Sequence, residues 1–137
     1  MDIHRIIYTS RPFGYDEATL GAILMDARAA NARDGVTGAL ICREDVYMQL
    51  LEGPGAAVRA TAERIGRDDR HVDMRRHVEA RAPTRMFEGW AMLHDPAVSW
   101  IWSRKEVAAG AVERATGAEV EAFFLRLRKQ HMPDGAM

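Results

Sequence analysis

Apolar and polar positions follow two rhythms along the chain. "IHRIIYTS" (3–10) is rich in β-branched and aromatic residues and predicts a strand, with "RPFGY" following as a loop. Leu20, Ile23, Leu24 and Ala27 then recur at i, i+3, i+4 and i+7, which makes one apolar face of a helix that Asp16 is placed to cap. Asn31 extends that inward face to the helix end, and "RDG" stops the helix because Gly35 can take a positive φ. "VTGALICRED" and "VYMQLLEG" predict two strands joined at Arg43–Asp45, a hairpin. A second helix from Gly55 to Ile65 has Val58, Thr61, Ala62 and Ile65 on its apolar face and Gly66 at its close. "RDDRH" reads as a charged loop. "VDMRRHVEARAP" predicts a strand with one very polar face, ended by Pro83, and "MFEGWAMLHD" a short final strand.

The order β-α-β-β-α-β-β is that of an α+β, ferredoxin-like split βαβ plan with both helices on one sheet face. This reading makes the first and third strands central and parallel, with Tyr8 and Gln49 on neighbouring strands beneath the helices. From residue 95 the character changes. "DPAVSWIW" is aromatic, and "SRKE" (103–106) and "TGAE" (116–119) both fit the S/T-x-x-E capping box. Val120, Phe123, Phe124 and Leu127 carry helical spacing. Residues 1–95 are thus expected to form the sheet domain and 96–137 a helical extension. An amphipathic extension must cover something, either the bare sheet face or a second subunit in a homodimer.

Composition narrows the class. The 137 residues are 47% hydrophobic and 28% charged, sufficient for one folded domain. A net charge of −1 gives no pointer to nucleic acid or an anionic membrane. No apolar run is long enough to span a bilayer, and "MDIHRIIYTS" lacks the features of a secretory signal. Cys42 stands alone, so no internal disulfide forms; together these features predict a cytoplasmic protein.

Gln49 is the anomaly in "VYMQLLEG": a primary amide among apolar neighbours has two donors and an acceptor to satisfy. Taken singly, Gln49, Asn31 and Tyr8 have ordinary structural explanations as a strand amide, a helix-end amide and a core phenol. Converging below two helices, they would cost stability unless a partner filled the space, and amides suit the edge of a planar heteroaromatic ring. Other chemistry is weaker. The glycines form neither G-x-G-x-x-G nor a phosphate loop. Cys42 has no evident base in the sequence and reads as a buried, inert thiol. His71 and His77 lack a third ligand at metal spacing. Glu52, Asp68 and Asp69 could pair as acid and base, but nothing in the sequence places them in a cleft. Arg75, Arg76, Arg81 and Arg85 cluster mildly without the stacking aromatics of an RNA-binding sheet.

With "RIIYTS", "NARDGVTGAL", "VYMQLLEG", "DDRH" and "FEGWAM" in this order and spacing, the chain resembles the BLUF family of FAD-based blue-light sensors over roughly its first two thirds. The resemblance implies that Tyr8 is the photochemical electron and proton donor. It implies that Asn31 bonds the flavin's pyrimidine edge and that Gln49 lies between the tyrosine and the flavin. Ser10 matches a serine near that network, and Trp90 and Met92 match a pair whose exposure varies with state. Ile23, Arg28 and Ile65 match positions near the ring and the ribityl chain. Ala30 departs from the pattern: many members carry an amide or histidine there, so one flavin hydrogen bond is missing or made by water.

The expected function is therefore blue-light sensing with FAD by a protein that is not an enzyme. Light-driven transfer from Tyr8 and rearrangement of Gln49 would signal to a separate, unidentified protein, with no direct role for nucleic acid or membrane. Two alternatives come from other classes. One is an acylphosphatase-like small hydrolase using Arg11 in "TSRPFG" to hold an anion; the other is a ligand-free interaction module dimerising through its helical tail.

Overall fold

The first strand, β1 (Ile3–Pro12), outruns its β-branched stretch because Arg11 and Pro12 still pair with Val72 and His71 on one side, after pairing on the other has ended at Ser10 and Tyr47. The computed structural model describes residues 3–12, 17–68, 70–95 and 101–131. The Asp16 cap, Asp69 and residues 96–100 of the aromatic segment lie outside them. After β1 come α1 (Glu17–Asp34), β2 (Thr37–Arg43), β3 (Val46–Pro54), α2 (Gly55–Gly66), β4 (His71–Ala82) and β5 (Leu93–Asp95). Three further helices follow: α3 (Arg104–Ala108), α4 (Ala111–Arg114) and α5 (Gly117–His131). The sheet order is β4-β1-β3-β2-β5, the expected ferredoxin-like arrangement with an added strand and a helical extension.

Two expectations need correction. β1 and β3 are central and adjacent but antiparallel, not parallel. The α1 crossover returns the chain so that β2 lies two places from β1. The hairpin then inserts β3 between them, antiparallel to both. The last strand is three residues, not ten: only Leu93–Asp95 pairs, in parallel, with Ala39–Ile41 of β2. The backbone N–H groups of Met86 and Phe87 donate instead to the fully buried Glu52 carboxylate, at 2.9 and 2.7 Å. Trp90 N–H then closes a turn on Phe87 O at 3.0 Å.

Strand alternation builds two cores. Ile6, Tyr8, Leu40, Cys42, Leu51 and Met92 meet Leu20 and Leu24 of α1 and Val58 and Ala62 of α2. On the other face, Ile7, Ala39, Ile41, Met48, Leu50 and Phe87 meet Ile101, Trp102, Val112, Val120, Phe124 and Leu127. The C-terminal helices therefore cover the sheet of their own chain. α3 opens with a complete capping box between Ser103 and Glu106, and Thr116 accepts from Glu119 N–H at 3.1 Å ahead of α5. Edge-to-face aromatic pairs, Phe87 with Phe124 and Trp102 with Phe123, lock the layer.

Gly35 and Gly38 are each required by geometry. Gly35 ends α1 with φ +73°. A Cβ on Gly38 would lie 2.0 Å from the Leu50 carbonyl oxygen, so only glycine lets β2 approach β3 there.

Candidate functional site

Tyr8 and Gln49 are direct register partners on β1 and β3, so both side chains rise from the same face of the sheet, beneath α1 and α2. The Tyr8 hydroxyl donates to Gln49 Oε1. The other end of the amide, Nε2, lies 3.6 Å from Met92 Sδ. Asn31, buried at the end of α1, donates through Nδ2 to Ala91 O at 2.8 Å. Arg28 donates to Met92 O at 3.1 Å, and Trp90 O accepts from Gly38 N–H at 3.1 Å. Residues 90–92 are thus tied to the site by side chains and to the sheet by backbone.

Between the helices lies a cavity of about 430 Å³. Tyr8, Ser10, Leu40, Tyr47 and Gln49 line it from the sheet. Ile23, Ala27, Ala30 and Asn31 line it from α1, and Thr61, Arg64 and Ile65 from α2. Asp68, Arg70 and His71 complete it with Asp26 and Arg33. Arg70 bonds Asp68 and reaches Asp26 at 3.2 Å, so one guanidinium joins α1 to the loop ahead of β4. Among the described residues, three buried side-chain polar atoms have no partner, Ser10 Oγ, Thr61 Oγ1 and His71 Nδ1, and all belong to this lining.

Electrostatics give the site its character. Burial, with a smaller contribution from the Asp68 charge, pushes the Tyr8 phenol well above its ordinary pKa of 10.0. Arg70 holds the Asp68 carboxyl below its usual range by hydrogen bonding. The Cys42 thiol does face a base, His94 Nε2 at 3.0 Å, which the sequence did not reveal. Burial, then the Asp95 charge, still pushes it up to about 12, so it is a thiol and not a nucleophile.

The structure brings Tyr8, Ser10, Ile23, Asn31, Gln49 and Ile65 to one cavity. Arg28 and Met92 do not line it: the guanidinium is turned to the Met92 carbonyl, and Met92 reaches the site through its sulfur. Met92 is 2% exposed and Trp90 38%, so the methionine is the inward member of the pair. Trp90 instead meets His131 at the end of α5, edge to face at 6.3 Å. Arg11 pairs with Asp73, away from the cavity. Arg76 pairs with Glu79, and Arg85 braces Thr37, Gly35 and Glu52, which disperses the arginine cluster. His77 bonds Thr9 Oγ1 at 2.8 Å, and among the described residues no group of acidic, His or Cys side chains could hold a metal. Tyr47, Thr61, Arg64, Arg70 and His71 join the lining without having been singled out as site residues. Thr61 carried a local signal as a polar residue on an apolar helix face, and Arg70 and His71 lie in the "DDRH" stretch that the resemblance rests on.

The model of the family described as BLUF, sensors of blue-light using FAD, matches residues 3–93. No curated protein matches the chain. Among solved structures, that of BlrB, a BLUF protein in its dark state, is similar with a TM-score of 0.77 and 24% identity, over 94% of this chain and 97% of the other. The ground state of BlsA gives 0.74 and 20%, over 92% and 87%. BlrP1 of Klebsiella pneumoniae, with FMN and cyclic diGMP, gives 0.66 and 25%, over 97% of this chain and 35% of that one. At such identities the likenesses speak for the fold.

Proposed function

Because the chain belongs to the BLUF family, sensors of blue-light using FAD, we propose that the cavity between α1 and α2 holds the flavin, as FAD, and that Tyr8 and Gln49 carry the light response. The observation that carries this reading is the buried Tyr8–Gln49 hydrogen bond on the cavity floor. The residues present fit the group. Ile23, Ala27, Leu40 and Ile65 offer apolar contact to a flat ring, Asn31 and Gln49 offer amides, and the unpartnered polar atoms await a ligand.

When bound, the flavin supplies absorption of blue light and an excited ring that accepts an electron. Tyr8 is the donor. Its raised pKa keeps the phenol neutral in the dark, so its proton would leave only as the phenol itself is oxidised. The hydroxyl already donates to Gln49 Oε1, which gives that proton a first acceptor. Gln49 then rotates or changes tautomer. Its two ends have opposite hydrogen-bond character, so this changes the partners on both sides without moving the backbone. The Met92 contact at 3.6 Å is the one that reversal disturbs. Residues 90–92 pass the change to the C-terminal helices and so to a separate effector protein.

Purified protein is expected to be yellow and to show a flavin spectrum that shifts reversibly to the red under blue light. Colourless protein that fails to take up added FAD refutes the proposal.

A further inference from the structure

Glu52 and Gln49 stand at positions of opposite parity on β3, so their side chains leave opposite faces of the sheet. Gln49 faces the cavity, and Glu52 faces the core that Met86 and Phe87 share with α5. Glu52 is fully buried, and an ion in such a place is costly unless it is paired and hydrogen-bonded. Its Oε1 accepts from Met86 N–H at 2.9 Å and from Arg5 Nε at 3.3 Å, and its Oε2 accepts from Phe87 N–H at 2.7 Å. Arg5 also donates to Thr84 O at 2.9 Å, and Arg85 donates to Glu52 O at 3.2 Å.

Successive N–H groups along a strand point to opposite sides, so one carboxylate takes two in a row only where the chain turns. Glu52 therefore holds Met86 and Phe87 out of any ladder and sets the path of the chain from there. Phe87 O accepts from Trp90 N–H at 3.0 Å, and Trp90 O accepts from Gly38 N–H at 3.1 Å. Two residues later the Met92 sulfur lies 3.6 Å from Gln49 Nε2. A series of fixed backbone joints thus runs from one side chain of β3 to another, starting in the core of one sheet face and ending in that of the other.

We propose that Glu52 is a positioning residue for the light response: by anchoring Met86 and Phe87 it places the Met92 sulfur against Gln49, and so sets how fast the dark state returns. The inference rests on the light-sensing reading of Tyr8 and Gln49. Glu52 itself does not line the cavity and acts only through the segment it holds.

Glu52→Gln keeps the shape but offers one acceptor to two N–H groups, so a buried donor loses its partner. With the segment released, the dark arrangement loses the contact that draws Gln49 back. Full-length variant loaded with FAD is expected to hold its flavin as wild type does and, after a blue flash, to recover in the dark at least about threefold more slowly. A general loss of stability would act the same with or without the methionine sulfur. In a Met92→Ala background, Glu52→Gln is therefore expected to alter recovery by less than about 1.5-fold. Unchanged recovery in Glu52→Gln overturns the proposal, and so does an effect that persists in full beside Met92→Ala. If the variant fails to fold, amide exchange in dark wild type decides. Read by NMR, the Met86 and Phe87 N–H groups are expected to exchange as slowly as those of β3, and fast exchange overturns the anchor. Wild type without a photocycle refutes the light-sensing reading itself; a wild-type photocycle that Glu52→Gln leaves unaltered refutes this inference alone.

Discussion

At the residue scale the site is one phenol and one amide in mutual contact. Tyr8→Phe removes only the hydroxyl, but it strands Gln49 Oε1 in a buried place. An unsatisfied buried acceptor costs about 1–3 kcal/mol, so urea unfolding should show a loss of that order with the fold retained. The same variant is expected to bind flavin and lose the photocycle. Gln49→Leu should likewise keep its pigment and show no red shift; a normal shift there rules the glutamine out as the switch. These two residues and Asn31 were legible in the sequence because a polar group on an otherwise apolar face raises the question of its partner. Asp68, Arg70 and His71 belong to the "DDRH" stretch of the resemblance but were not placed in the cavity by periodicity, because a charged run normally marks solvated loop. Only the approach of α1 makes that loop one side of a pocket, through Asp26 and Arg70.

At the element scale, the segment between β4 and β5 is held at both ends. Met86 and Phe87 are fixed by Glu52 and by Arg128 of α5, whose Nε donates to Met86 O at 3.1 Å. Ala91 and Met92 are fixed by Asn31, Arg28 and Gln49. On the proposed mechanism, loss of the Gln49–Met92 contact in the lit state would loosen a strap that α5 rests on. The last two turns of α5 are expected to exchange backbone hydrogens faster under blue light than in the dark, as read by mass spectrometry. Identical exchange excludes this route. Hydrophobic rhythm predicted the strands and helices themselves, since period 2 and period 3.6 are local properties. The short β5 was not predicted. Glu52 takes two N–H groups away from any ladder, and that competition joins residues more than thirty positions apart.

At the scale of the whole molecule, two half-buried histidines link stability to pH. Burial is the main cause holding His77 and His94 below the ordinary value of 6.5. For His77, the Ala115 carbonyl and Glu119 oppose the shift and Arg75 adds to it; for His94, Arg28 adds and Asp95 opposes. As pH falls, the unfolded chain takes up these protons first. Their contribution is thus complete above about 6.5 and is lost as pH falls through 6.5 toward the lower folded values. Asp68 is depressed too, and its contribution fades only in the more acidic carboxylate range. The urea midpoint should drop between pH 7.5 and 5.5, and His77→Gln should flatten that drop; an unchanged slope rejects the assignment.

His77 has a second role in the architecture. Its ring bonds Thr9, the neighbour of Tyr8, while its backbone oxygen lies so near Gly117 that a Cβ there would come within 2.7 Å. The foot of α5 is therefore seated on β4 beside the strand that carries the phenol, and its far end meets Trp90. α5 is held between these two ends by Val120, Phe124 and Leu127, all fully buried in the core of the second sheet face. At 1.5 Å rise per residue it spans about 21 Å from β4 to Trp90. One continuous helix therefore joins the strand beside the phenol to the exposed indole of Trp90, so on the proposed mechanism a change at either end would be felt at the other.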